Sequence, residues 1–280
     1  MLGERSELIY EVFLVGSGGV EVTKPFRTMT TEEAGFIEAI YGSPGDNALR
    51  LVYADWLEER SDPGSNYLRA EVEHFRTQSD IQDSVVWSLR EQVDLIWAEM
   101  VSRSPFGILV PGLTFWDTGP RIGSAHLAKI ERRWGKRLPP DYAAFLLRYN
   151  GGRPSKRYLW SYAAYDDRTE HYYDEVRLFS TEDRHSSGKP YLRMSVVEAF
   201  HNHVAEGWEK WLPRYMPIGM LTLSDGFEHM LALGMDDNAK FPRILELEYL
   251  EDRGLSGAWD THWQNSFVGL LMALRERSEV

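Results

Sequence analysis

Residues 130–152 read IERRWGKRLPPDYAAFLLRYNGG, and this stretch predicts two helices joined by a proline corner. The first helix begins at Ser124 and ends at Gly135, because glycine readily adopts the left-handed conformation that follows a helix. Pro140 falls in the first turn of the second helix, where a missing N–H costs nothing. The second helix ends at 150–152, since asparagine and glycine tolerate positive φ.

The sequence after this corner changes to mainly strand-like patterns. Residues 216–223 and 230–233 predict two strands, and 244–250 alternates as a half-buried strand does. Residues 191–211 predict a helix-rich stretch, and 266–274 predicts a closing helix. With the helical beginning of the chain, this order predicts an α+β fold.

Eleven residues of the corner carry a resemblance to a known family: Glu131, Gly135, Leu138, Pro139, Asp141, Tyr142, Phe145, Leu146, Asn150, Gly151 and Gly152. They resemble the opening signature of the SUKH superfamily of Smi/Knr-type proteins, and the resemblance extends over about 123–277. Trp134 departs from it, since a smaller apolar residue is usual there. The resemblance implies a twisted, mainly antiparallel sheet flanked by helices. It also implies a bacterial immunity protein that neutralises toxins by docking on them.

The first hundred residues predict a small helical module. Thr30 or Thr31 caps its first helix, and Glu32 and Glu33 suit the first turn. Two further amphipathic helices follow, and the last helix is predicted as one long stripe from Ile81 to Met100.

Residues 50–60, RLVYADWLEER, resemble the core motif of a bacterial repeat-companion domain. The motif residues that we single out are Arg50, Tyr53, Asp55, Trp56 and Leu57. Ser61 stands where that family usually has glycine. No activity is attached to this family, so the resemblance implies a modular architecture and not a reaction.

These patterns divide the chain into 1–28, an N-terminal extension, 29–104, the helical module, 105–122, a linker rich in proline and glycine, and 123–280, the SUKH-like domain. Two interpretations of the extension stay open. It forms a hairpin around Gly16-Ser17-Gly18-Gly19, or it is a poorly packed segment that precedes a natural start at Met29.

Composition narrows the classes of function. The 280 residues contain no cysteine, which excludes disulfides and zinc–thiolate sites and fits a cytoplasmic location. The net charge of -12 disfavours binding to nucleic acid. No apolar run is long enough for a membrane span, and the N-terminus does not fit a signal peptide. The sequence does not predict an oligomeric state.

No motif predicts catalytic, metal or cofactor residues. His201 and His203 lie two apart, so on a helix they point in different directions and cannot share a metal, whereas on a strand they could. The apolar neighbours at helical spacing favour the helix. Asp236-Asp237-Asn238 lacks the spacing of a calcium loop. We therefore expect no cofactor and no enzyme activity.

Aromatic and acidic residues provide the partner-binding candidates, in a stretch predicted to be rich in loops and in a second, acidic group. They are Trp160, Tyr162, Asp166, Asp167, Tyr172 and Tyr173, and then Glu246, Glu248, Glu251 and Asp252. Exposed aromatics among acids suit a basic protein partner such as a toxin domain. The alternatives are that half the rings fill the core and that the acids serve solubility. The sequence thus predicts an immunity protein, with a regulatory scaffold that binds a signalling or envelope-synthesis partner as the alternative.

Overall fold

The computed structural model describes residues 27, 29–165, 168–184, 191–193, 215–223, 228–234, 244–250, 254–260 and 266–276. At 160–174, 193 and 245–260 within these ranges, only the backbone is described. The predicted hairpin near residue 16 and most of the predicted helix-rich stretch at 191–211 lie outside the described residues.

The described part of the chain is an α+β protein, as predicted. Its helices are α1 (Thr31–Gly42), α2 (Asn47–Glu58), α3 (Gly64–Thr77), α4 (Asp80–Arg90), α5 (Leu95–Val101), α6 (Ser124–Trp134), α7 (Pro140–Arg148) and α8 (Phe267–Ala273). A short 3₁₀ turn covers Tyr191–Arg193. None of these helices is long and apolar enough to cross a bilayer.

The strands in the described residues form two antiparallel sheets. They are β1 (Phe115–Trp116), β2 (Arg153–Pro154), β3 (Tyr158–Tyr165), β4 (Arg168–Leu178), β5 (Tyr215–Thr222), β6 (Glu228–Gly234), β7 (Ile244–Leu250) and β8 (Gly254–Asp260). β1 pairs with β2, and β3 to β8 form one sheet in which each strand pairs with the next along the chain.

Local capping explains where the first helices begin. The Thr30 side chain accepts a hydrogen bond from the Glu33 amide at 3.1 Å, and the Asp46 side chain accepts one from the Ala48 amide at 2.7 Å. Each such cap satisfies an amide that has no partner within its helix and contributes about 1 kcal/mol. The prediction that Thr30 or Thr31 caps α1 is therefore confirmed, with Thr30 in the role.

The single stripe from Ile81 to Met100 was a wrong prediction. The chain leaves the helix after Arg90 and starts α5 at Leu95, where Asp94 caps the new helix by accepting from the Trp97 amide at 2.9 Å. Ile81, which was predicted to lie on the apolar stripe, is 76% exposed. A capping aspartate in the middle of an apolar pattern divides it into two helices, and the apolar spacing alone does not reveal this.

A single apolar core joins the helices to the large sheet. It runs from Tyr53 and Trp97 in the first helices, through Phe145 on α7, to Leu231 on β6, and each of these side chains is buried. The segment predicted as a linker also contributes, because its Phe106, Ile108 and Leu109 are at most 2% exposed. The domain boundaries themselves stay a prediction.

Candidate partner-binding surfaces

The α6–α7 corner has the geometry that its sequence predicts. Gly135 ends α6 at φ +67°, and Pro140 begins α7. The Glu131 carboxylate accepts a hydrogen bond from the Leu138 amide at 3.0 Å, and Leu138 is buried while Pro139 precedes the helix. These motif residues set the angle between the two helices, which is a structural role.

Asp141 connects this corner to the end of the chain. Its carboxylate is buried and accepts hydrogen bonds from the amides of Phe267 at 2.8 Å and Val268 at 3.2 Å, at the start of α8. It also accepts from its neighbour Tyr142 at 2.8 Å. Burial raises the pKa of Asp141, and these three amides act in the opposite direction. Tyr142 is fully buried and stacks on Phe145, so it belongs to the core.

The exit loop at 150–152 packs against the end of β4. Asn150, Gly151 and Gly152 all have positive φ. Gly152 exchanges two backbone hydrogen bonds with Leu178, both at 2.9 Å. The Asn150 side chain donates to the carbonyl of Pro120 at 2.8 Å and accepts from the Thr181 amide at 2.9 Å. Asn150 therefore holds three separated segments together.

The RLVYADWLEER motif also has structural roles. Arg50 is fully buried and donates to the carbonyl oxygens of Pro44 at 2.7 Å and Val101 at 3.3 Å. Tyr53 donates to Glu33 at 2.7 Å and accepts from the Trp97 indole at 2.9 Å. Together these two side chains fix α1, α2 and α5 to one another.

The other motif residues lie further from the centre of the module. Leu57 is buried, and Trp56 is half-buried against Phe36. Asp55 is exposed and accepts a hydrogen bond from Arg69 at 2.7 Å, which connects α2 to α3.

The aromatic partner-binding candidates lie on two paired strands, and the prediction of a loop-rich stretch is wrong. β3 and β4 pair over eight positions, with Trp160 opposite Tyr173 and Ser161 opposite Tyr172. Aromatic residues are common both in strands and in interfaces. The acidic residues among them favoured the interface interpretation, so the strands were not predicted. Asp166 and Asp167, which come between these strands in the sequence, lie outside the described residues.

By register, positions 160, 162 and 173 fall on the face of the β3–β4 pair opposite to Leu159, which is 1% exposed. Position 172 falls on the same face as Leu159. The pairing thus separates the four aromatic positions into three on one face and one on the other.

The acidic candidates are at the opposite side of the sheet. Glu246 and Glu248 lie on β7, where Glu246 pairs with Leu231 and Trp259 and Glu248 pairs with Gly257. Glu251 and Asp252 lie outside the described residues. β4 and β7 are three strands apart, which is roughly 14 Å along the sheet. The sheet order therefore does not bring the two predicted groups side by side, and one partner would have to span the strands between them.

A basic surface on α6 lies outside both predicted partner-binding groups. Residues 129–157 carry seven more basic than acidic side chains, and α6 exposes Lys129, Arg132 and Arg133 on one side. Arg137 follows them and pairs with Glu131 at 2.9 Å. Helical spacing of 129, 132 and 133 was the available signal, because residues three and four apart share a helix face.

No three acidic or histidine side chains come together as a metal site within the ranges that the structure describes. His201, His203 and residues 236–238 lie outside those ranges. The prediction that they hold no metal stays a prediction.

Comparison with known protein families gives a match in the second half of the chain. A family model described as SMI1/KNR4 family (SUKH-1) matches residues 122–261, which is half of the chain. The chain belongs to the SMI1/KNR4 family. The matched range contains the α6–α7 corner, the exit loop and β2 to β8, so the SUKH resemblance predicted from 130–152 is confirmed. No curated protein and no solved structure matches the chain.

Membership in the SUKH-1 family supports a protein-binding, immunity-type module. The match starts after the helical module, so it does not test the predicted repeat-companion domain at 29–104, which stays a prediction.

Proposed function

We propose that this SUKH-1 protein is a non-enzymatic binding module that neutralises a bacterial toxin by covering its active surface. The observation that carries the proposal is the family match over 122–261. The proposal includes a cytosolic location, where a chain without cysteine suits a reducing compartment.

The charge of the chain supports a basic partner. The net charge is -12, and residues 158–280, which contain both candidate groups, have nine more acidic than basic side chains. Complementary charge speeds the association of two proteins and suppresses wrong partners. A toxin that acts on nucleic acid has a basic active surface, and an acidic binding surface is complementary to it in charge.

The aromatic positions on β3 and β4 also support binding to a protein partner. Trp and Tyr provide most of the binding energy in many interfaces, and they do so from the centre of the contact. Trp160, Tyr162 and Tyr173 share one face by register, and Asp166 and Asp167 follow β3 directly in the sequence. In the proposal this face anchors the toxin, and the negative charge of Asp166 and Asp167 steers its approach.

The first experiment tests whether the inhibition is stoichiometric. The full chain is titrated into a fixed amount of a candidate toxin domain taken from a neighbouring gene, and the residual toxin activity is measured. Occlusion predicts a linear loss of activity that ends at one chain per toxin. Complete inactivation by a small fraction of that amount would contradict the proposal, because it would require turnover.

The second experiment tests the surface. We expect Asp166→Asn with Asp167→Asn to slow association several-fold at low salt, and we expect the difference to shrink as salt screens the charges. The matched control is Glu59→Gln with Glu91→Gln, which removes the same charge from exposed positions of the helical module. An equal effect of both variants would mean that net charge, and not this surface, determines the association rate.

A regulatory scaffold is the alternative function, and membership in the SMI1/KNR4 family is compatible with it. It predicts a stable complex with a signalling or envelope-synthesis protein and no toxicity for the chain to suppress. Growth of cells that express the neighbouring gene alone separates the two functions.

A further inference from the structure

A cavity lies where the helical module meets the α6–α7 corner. Its volume is about 340 Å³, and its walls come from α1, α5, α7 and the segment that leads into α6. This volume is at the lower end of the range for small-molecule sites. The apolar part of the wall includes Met29, Ile37, Met100, Ile122 and Leu147.

The polar part of the wall has more positive than negative charge. Arg121 and Arg148 share a single carboxylate, Glu38, with N–O distances of 3.0 Å and 2.9 Å. Arg27 also lines the cavity, but it already pairs with Glu33 at 2.6 Å and Asp62 at 2.9 Å. Two guanidinium groups against one carboxylate leave one positive charge at the wall.

The shared carboxylate is held in its ionised form. Partial burial acts to raise the pKa of Glu38, but hydrogen bonds from Arg121 and Arg148 outweigh it and hold that pKa below its usual value. Protonation of Glu38 therefore does not add to the positive charge near neutral pH.

Two of the residues that line the cavity each have a buried hydrogen-bond donor with no acceptor among the described residues. The two donors are the Arg148 Nε and the Tyr41 hydroxyl. The guanidinium of Arg148 stacks on the Tyr41 ring at 3.7 Å, so the two donors belong to one cluster. Buried donors without acceptors are uncommon in folded proteins, because each one loses its hydration without compensation.

We propose that this cavity binds a small monocarboxylate with an apolar body. The carboxylate takes the surplus positive charge of Arg121 and Arg148, whose planar groups match two oxygens in one plane. The apolar body lies against the methionine and isoleucine walls. The site is distinct from the proposed toxin surface in chemistry, since that surface is acidic, and in place, since no residue of β3 to β8 lines the cavity.

The experiment measures binding to the full chain by isothermal titration calorimetry at pH 7 with four probes. Phenylacetate has the charge and the apolar body, phenylacetamide has the body alone, acetate has the charge alone, and phenethylamine has the opposite charge. We expect phenylacetate to bind at least about tenfold more tightly than each of the others. Equal binding of phenylacetate and phenylacetamide, equal binding of acetate, or no binding of phenylacetate overturns the proposal.

Two variants test the residues. Arg121→Gln should weaken phenylacetate binding about tenfold, because it removes the surplus charge. Glu38→Gln should strengthen it several-fold, since it removes the carboxylate that competes for both arginines. A purely structural role for these side chains predicts lower stability for Glu38→Gln and no gain in binding, and that result overturns the proposal.

Arg76→Gln is the matched control. The Arg76 side chain is 70% exposed and pairs with one carboxylate, while the Arg121 side chain is 71% exposed and also pairs with one. Arg76 does not line the cavity, so its variant should bind phenylacetate as the unchanged protein does. A tenfold loss in both arginine variants would assign the binding to net charge and overturn the site.

Discussion

Replacing Gly151 with alanine should destabilise the protein far more than the same change at Gly135. Both glycines have positive φ, +83° and +67°. A side chain at Gly151 would put its Cβ 2.4 Å from the Ser180 amide nitrogen and 2.5 Å from the Phe179 carbonyl carbon. A side chain at Gly135 would meet no atom within 4 Å.

The magnitudes follow from these contacts. Left-handed backbone costs a non-glycine residue roughly 1–2 kcal/mol, and alanine offsets about 0.4–1 kcal/mol of this by restricting the unfolded chain. Gly135→Ala should therefore lower the free energy of unfolding by about 1 kcal/mol. Gly151→Ala adds a collision with backbone atoms, and overpacking of this kind costs about 1–3 kcal/mol more. We expect a total loss of about 2–4 kcal/mol at Gly151.

Urea unfolding of the full chain measures both variants. The 10 tryptophans provide a fluorescence signal, and far-ultraviolet circular dichroism provides a second probe. Coincident transitions by the two probes justify a two-state treatment. Equal losses at Gly151 and Gly135, or a nearly neutral Gly151→Ala, would refute the reasoning that the exit loop needs its close approach to residues 179–180.

Three further changes have definite expected outcomes. Asp141→Ala should lower the free energy of unfolding by about 3 kcal/mol, because it leaves buried amides of α8 without an acceptor. Asp141→Asn should lower the free energy of unfolding by about half as much, and chemical denaturation of both variants checks the ratio of the two losses. Burial raises the pKa of the Glu99 carboxyl from 4.5 to about 8. Between these two pH values the folded state binds a proton that the unfolded state has released, so the free energy of unfolding should fall as the pH rises from 5 to 8. Glu99→Gln should flatten that pH dependence of the melting temperature, and exposed Glu91→Gln should leave it unchanged. Ser61 has φ +54°, so Ser61→Gly should stabilise the protein by about 0.5–1 kcal/mol, and a lower melting temperature would contradict this.

The sequence predicts those parts of the fold that depend on neighbouring residues. Helix ends at Gly135 and 150–152 follow from the conformations open to glycine and asparagine, and the start of α1 follows from a capping threonine. These rules act over a few residues, so one sequence is enough to apply them.

The remaining features depend on contacts between distant residues. Asp141 accepts from an amide 126 positions away, and Arg50 is buried against a carbonyl 51 positions away. No local pattern predicts that a carboxylate or a guanidinium will be buried, because its partner belongs to another element. The cavity was missed for the same reason, since Glu38 and Arg148 come from opposite sides of the chain's midpoint.

The β3–β4 pair was missed because its sequence supports two interpretations. Aromatic residues in alternation with polar ones are typical of a strand, and the same aromatics beside acids are typical of an interface. Register decides between them, and register depends on the partner strand. The partner-binding candidates on this pair and on β7 therefore remain predictions.

The shared core has a consequence for any attempt to separate the two parts of the chain. Cutting between the helical module and the SUKH-1 domain would uncover apolar side chains on α5 and α7 and would free Arg148 from Glu38. Each fragment would then expose a large apolar surface and would tend to aggregate. Once two parts of a chain share one apolar core, neither part can be removed without destabilising the other.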